Sequence, residues 1–164
     1  MLATPGHADG HLCLFRESDR TLIAGDHVLA PITPAIGLYP ESRPDPLGDY
    51  LDTLALLAEL APAAAYGGHG LPVSSPAVRC AEIAAHHADR LDRAEAALGA
   101  EPRSGFDLSH DLFGPDLPPI QRRFAVAETL SHLERLVAAG RAARGGDDRT
   151  VAYTARFSGG RPPV

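Results

Sequence analysis

Residues 4–27 read TPGHADGHLCLFRESDRTLIAGDH. Two apolar runs, His11-Leu12-Cys13-Leu14-Phe15 and Thr21-Leu22-Ile23-Ala24-Gly25, flank the polar segment Arg16-Glu17-Ser18-Asp19-Arg20. Apolar runs of strand length on either side of a polar turn predict a β-hairpin with buried strands. The ends of that hairpin carry the chemistry. Thr4-Pro5-Gly6-His7 precedes its first strand, and Gly25-Asp26-His27 ends its second. Farther on, residues 63–66 read as a short buried strand that runs into Gly67-Gly68-His69-Gly70. Each of these segments puts a His or an Asp in a glycine-flanked loop at a strand end, where glycine lets the backbone turn sharply. Imidazole and carboxylate are donors that zinc, manganese and iron accept. Taken singly, each residue has a plainer reading: His7 as a turn residue, Asp26 as a cap, His69 as a solvent contact. Their order and shared context point instead to a metal site.

Between these segments, residues 30–46 contain five prolines and no periodicity, which predicts an irregular loop over the pocket. Asp45-Pro46 then opens a helix as N-cap and first-turn proline, Leu47, Leu51, Leu54, Leu57 and Leu60 stripe it, and Pro62 ends it. Ser75-Pro76 starts a second helix, running to about residue 98 with Ile83, Leu91 and Leu98 on one side. Residues 99–120 read as a Pro/Gly-rich linker. Residues 121–139 read as a helix with Val126, Leu130, Leu133, Leu136 and Val137 on one face, ended by Gly140. A hairpin over residues 141–157 turns at Gly145-Gly146-Asp147-Asp148. The expected organisation is therefore a first domain at 1–98, a linker at 99–120 and a helix-plus-hairpin module at 121–164.

Composition narrows the function. The 164-residue chain has no Lys, no Asn and no Trp, and every basic residue is Arg. The absence of Lys excludes Schiff-base and P-loop chemistry, and the absence of Asn excludes N-glycosylation. We read the bias, with its abundant Ala, as that of a GC-rich genome. Cys13 and Cys80 are far apart, which excludes a disulfide framework and a Cys-rich zinc site and suits a reducing compartment. No run of 18 uncharged apolar residues exists and the N-terminus lacks a basic, apolar leader, so a cytoplasmic protein is expected. Residues 1–70 carry nine acids against three arginines, whereas residues 121–164 carry eight arginines against four acids. An acidic front and a basic tail suggest two modules with different tasks.

Thr4-Pro5-Gly6-His7, Gly25-Asp26 and Gly68-His69-Gly70, in that order, resemble the second half of the metallo-β-lactamase superfamily. The resemblance implies an α/β (α+β) fold: the second half of an αββα sandwich followed by a C-terminal winged-helix-like module. The Pro-rich loop and the C-terminal module resemble the β-lactamase-like protein 2 branch. By resemblance, His7 is a ligand of one metal, His69 of a second, and Asp26 bridges both and is the catalytic carboxylate. Two Zn2+ ions are implied for an intact site. The implied activity is that of a metallo-hydrolase, in which metal-activated hydroxide attacks an ester, thioester, lactam or phosphodiester. His11 and His27 are expected to support the ligands from behind. Half a sandwich is expected to expose an apolar sheet face, covered by an N-terminal half or by a partner chain.

The family's HxHxDH motif, which supplies further ligands, has no match here; in the family it lies upstream of TPGH, and this chain begins three residues before Thr4. Weak zinc binding and little hydrolysis are therefore expected of the chain alone. His86, His87, His110 and His132 read as structural or solvent-facing. Neither cysteine has a basic neighbour that would mark a nucleophile. Arg135 and Arg141 lie off the apolar face of the last helix and are candidate contacts to single-stranded RNA. Three functions stay open: a metallo-hydrolase acting on a small ester or thioester or on RNA, a non-catalytic remnant that folds alone or pairs with another chain, and a winged-helix nucleic-acid binder.

Overall fold

The computed structural model describes residues 1–147 and 150–156. Two units divide the chain, Met1–Asp89 and Arg90–Val164. In the first, β1 (Leu2–Ala3), β2 (Leu12–Arg16), β3 (Thr21–Gly25) and β4 (Ala64–Gly67) form one sheet in that order. The β2–β3 hairpin is present, antiparallel, with Leu14 opposite Ile23 and Phe15 opposite Leu22. Its turn is held by the Arg16–Asp19 ion pair and by the Thr21 N–H donating to Asp19 Oδ1.

The strands are buried on one face only, which corrects the expectation of a fully buried hairpin. Cys13, Leu22, Ala24 and Ala65 are covered, whereas Leu12, Leu14, Ile23 and Tyr66 each stand about half exposed. Side chains alternate across a strand, so a continuous apolar run puts large apolar groups on both faces. The outward face here is apolar, as expected.

β3 and β4 are parallel. Parallel neighbours need a crossover, and α1 (Pro46–Leu60) lies in it. Asp45 caps α1 by accepting the Gly48 N–H at 2.8 Å, Pro46 opens it, and left-handed Ala61 closes it. The buried face is Leu47, Tyr50, Leu54 and Leu57, while Leu51 and Leu60 flank it partly covered. Spacings of three and four from Leu47 select Tyr50, which a stripe drawn through leucines alone passes over. α2 (Pro76–Ala96) buries Cys80, Ile83 and His87.

In the second unit, β5 (Arg103–Ser104), β6 (Ala142–Gly146) and β7 (Val151–Ala155) form a sheet in the order β5-β7-β6, beside α3 (Gly105–Phe113) and α4 (Pro119–Ala138). The linker reading of 99–120 is thus corrected. Ser104 caps α3 by accepting the Asp107 N–H, and Leu108 and Leu112 are buried one helical turn apart. Glycines and prolines at the ends of that segment masked its short amphipathic middle. The division also falls inside α2 and not at residue 98. The last turns of α2 are tied into the second unit: Arg90 pairs with Glu128, and Arg93 donates to the Leu112 carbonyl at 2.9 Å.

α4 ends as expected at Gly140 (φ +71). Gly140 N–H donates to the Val137 carbonyl and Arg141 N–H to that of Leu136, so the last carbonyls are satisfied. The buried face of α4 is Ala125, Thr129, Leu133 and Leu136, with Val126, Leu130 and Val137 only partly covered. Small residues at its centre let neighbours approach closely. Of the predicted hairpin, Asp148, Arg149 and Phe157 lie outside the described residues.

Candidate metal centre

The TPGH loop is pinned at both ends. Thr4 N–H donates to the His11 carbonyl at 2.9 Å, and Thr4 Oγ1 lies 2.8 Å from His11 Nδ1 and 3.3 Å from Cys13 Sγ. Gly6 has φ +137, and a Cβ built there would lie 2.5 Å from Tyr50 Cβ on α1. Only glycine lets the loop press that closely on the helix. The next residue, His7, is thereby held over the end of β3.

Asp26 leaves β3 just after a register irregularity between Ile23 and Gly25. Such an irregularity re-aims the side chains that follow it. The Gly67-Gly68-His69-Gly70 loop is anchored when Gly68 N–H donates to the Gly25 carbonyl at 2.8 Å. A Cβ at Gly68 would sit 2.5 Å from Asp26 Oδ1, so the absent side chain is the space that the carboxylate occupies.

The three residues converge. His7 Nε2 lies 3.8 Å from Asp26 Oδ2, and His69 Nε2 lies 3.5 Å from Asp26 Oδ1. One imidazole faces each carboxylate oxygen. His7 Nδ1 lies 3.0 Å from the Ala35 carbonyl. A carbonyl only accepts, so Nδ1 carries a hydrogen, and Nε2 is the ring nitrogen turned toward Asp26. That is how metal-binding histidines are commonly oriented. Asp26 Oδ1 is buried and accepts no hydrogen bond. An orphaned carboxylate oxygen facing an imidazole nitrogen fits a cation in donor type and direction. The number falls short of a closed site: among the described residues, no group of three or more His, Cys, Asp and Glu side chains is gathered tightly enough to hold a metal.

His11 and His27 have partners of their own. His27 is fully buried, with Nε2 3.0 Å from Thr53 Oγ1 and its ring 4.6 Å from that of Tyr50. The Tyr50 hydroxyl donates to the His27 carbonyl at 2.7 Å. Burial, followed by repulsion from His11 and His7, lowers the His27 pKa to about 3. His11 is lowered by burial and by His7, with Asp26 opposing. Neutral imidazoles beside a ligand cluster leave its charge to the carboxylate. Tyr50, Thr53 and the Ala35 carbonyl have no signal in the sequence, because helix phase and loop closure bring them in.

The remaining candidates stand apart from this cluster. Cys13 and Cys80 are buried with raised pKa values, Cys80 to about 11, which suits neither a nucleophile nor a ligand. His87 and His132 are core residues. In the second unit, Arg141 is held by Glu95 and, at 2.8 Å, by Asp92. The Arg141 guanidinium is thus engaged by two carboxylates. Arg135 is likewise engaged.

Comparison with known proteins finds relatives along most of the chain. Residues 1–69 match the family model of the metallo-beta-lactamase superfamily, and residues 91–157 match that of the metallo-beta-lactamase-like C-terminal domain. A probable metallo-hydrolase, YqjP of Bacillus subtilis, is 30% identical over 84% of this chain and 44% of its own length. An atrochrysone carboxyl ACP thioesterase, AacuM of Aspergillus aculeatus, is 30% identical over 58% of this chain and 28% of its own. The crystal structure of the metallo-beta-lactamase family protein TTHA1429 from Thermus thermophilus is 41% identical, with a TM-score of 0.83 over 94% of this chain and 48% of that one. The chain thus spans about half, or less, of the length of these relatives. Matched by two models of one family over most of its length, the chain belongs to the metallo-beta-lactamase superfamily.

Proposed function

We propose that this chain contributes His7, Asp26 and His69 to a metal-dependent hydrolase site, where these side chains would hold zinc. The observation that carries the reading is the Asp26 carboxylate, with one imidazole nitrogen facing each oxygen and its buried Oδ1 without a hydrogen-bond donor. A metal held there would supply Lewis acidity and a more acidic bound water, the chemistry needed to hydrolyse an ester, thioester, lactam or phosphodiester. The protein's own part is orientation. The Ala35 carbonyl fixes the His7 tautomer, Gly68 makes room for the carboxylate, and buried neutral His27 keeps a second positive charge away from Asp26.

The second unit reads as a winged-helix-like packing module. The strand–helix–helix–hairpin order, with β5 on β7, supports that, and the pairing of Arg141 weighs against a nucleic-acid role. The outward apolar sheet face is the place for further polypeptide to cover, from a longer chain or a partner. No helix among the described residues is long and apolar enough to cross a membrane. Two buried free cysteines suit the cytoplasm.

Calorimetric titration with zinc tests the reading. Weak binding is expected, because each ion would find only two protein ligands here while catalytic zinc normally takes three. Asp26→Asn is expected to abolish it, and His7→Ala or His69→Ala to reduce it, with His86→Ala unchanged. Binding indifferent to all three ligand variants would overturn the assignment.

A further inference from the structure

A cavity of about 240 Å³ opens beside His7, walled by Asp9, Gly37, Tyr39, Glu41 and Ser42. Its outer wall is a built loop. The Ala35 carbonyl is fixed by His7 Nδ1 at one end, and Arg43 N–H lies 3.4 Å from Asp9 Oδ1 at the other. Between them, Ser42 N–H donates to the Tyr39 carbonyl at 2.9 Å, and Tyr39 N–H donates to Ser42 Oγ at 3.0 Å, closing a turn. Ile36 is fully buried and anchors the segment. The Tyr39 ring folds back over Gly37, where a Cβ would lie 2.8–2.9 Å from its ring atoms and hydroxyl. An aromatic face and a phenol are thus presented at the cavity beside a candidate metal ligand.

The electrostatics of the cavity select its occupant. Two carboxylates line it and no lysine or arginine does. Arg43, the residue after Ser42, pairs its guanidinium with the Asp49 carboxylate and interacts more weakly with Asp9. The imidazole of His7 faces Asp26. In the metal-free chain a phosphodiester entering here would meet like charge, with no lysine or arginine among the described residues lining the cavity to neutralise it, whereas phosphate binding depends on such neutralisation. An uncharged group packs on the Tyr39 ring at no such cost, and a cationic one gains from both carboxylates and from the ring face.

We propose that this cavity is the substrate-recognition subsite, that it takes the uncharged or cationic end of an ester or thioester, and that without metal it refuses polyanions such as RNA. The proposal rests on the hydrolase reading for the bond that is cleaved. Recognition itself is measured without metal. Amide NMR shifts of Ala8, Gly37 and Ser42 in the metal-free chain would be followed during titration with acetylcholine, its neutral isostere 3,3-dimethylbutyl acetate, and single-stranded oligoadenylate. Both esters are expected to move these amides and oligoadenylate to leave them in place. Acetylcholine is expected to bind about three- to tenfold tighter than the isostere at low salt, the scale of two exposed, screened charges. The double variant Asp9→Asn/Glu41→Gln is expected to erase that preference while keeping the isostere, and Tyr39→Ala to weaken both esters. Shifts of the same amides by oligoadenylate, or no shift with either ester, would overturn the proposal. A zinc response that ignores Asp26 would overturn the hydrolase reading instead, and leave this result standing.

Discussion

Replacing Gly6 by Ala isolates the contact that seats His7. The Cβ would arrive 2.5 Å from Tyr50 Cβ and 2.8 Å from Tyr50 Cα. Those atoms belong to the backbone and stem of α1, so no side-chain end can swing away. Helix or loop must shift. Overpacking of this kind costs about 1–3 kcal/mol. The backbone adds its own term, because φ is +137, and a non-glycine residue held in such a region costs about 1–3 kcal/mol. The two act together, which gives a loss of roughly 2–6 kcal/mol, a large share of the stability of an ordinary domain. Gly10→Ala in the same loop is the control. Nothing lies within 4 Å of its Cβ, and its φ is not positive. A change within about 0.5 kcal/mol is expected there. Denaturant unfolding followed by circular dichroism, with m-values compared, measures both. A loss below about 0.5 kcal/mol for Gly6→Ala would refute the claim that the loop is pressed onto α1.

At Gly68 the neighbour is the movable end of Asp26, so Gly68→Ala is expected to change stability by less than about 1 kcal/mol while displacing the carboxylate. Zinc titration beside thermal unfolding separates the two effects, and full zinc affinity in this variant would contradict the geometry. The buried His27 imposes a pH dependence. Its folded pKa of about 3 lies below the ordinary 6.5, so the unfolded chain binds the extra proton in that window and stability falls as pH drops below 6.5. About 1.4 kcal/mol is lost on reaching roughly pH 5.5, above the range where most carboxylates titrate. Unfolding measured from pH 7 downward is expected to show this slope in the parent chain and a clearly shallower one in His27→Gln, where the smaller contribution of His11 remains.

How much was legible in the sequence follows from what each residue needs. Gly6, Asp26 and His69 sit in loops whose identity is local: a glycine at a strand end, a donor beside it, a short apolar run before it. Asp45-Pro46 and Gly140 are equally local, because a cap is a bond between near neighbours. What stayed hidden depends on the third dimension. Tyr50 is one helical turn from Leu54, yet it matters because Gly6 and His27, far away in sequence, pack on it. The covered and open faces of β2 and β3 both carry apolar residues, so period two gives no contrast by which to tell them apart. α3 is nine residues long between breakers, too short for composition to reveal. Arg141 looks free on a basic tail until α2 brings Asp92 and Glu95 to it. The same logic explains why the site reads more easily than its substrate. Ligands are fixed by donor chemistry and tight turns, which a sequence spells out. The cavity beside His7 takes its character from Asp9, Glu41 and Tyr39, and from the removal of Arg43 by Asp49. That last step is a pairing choice made only in the folded chain, and it turns a loop with an arginine in it into a pocket without one.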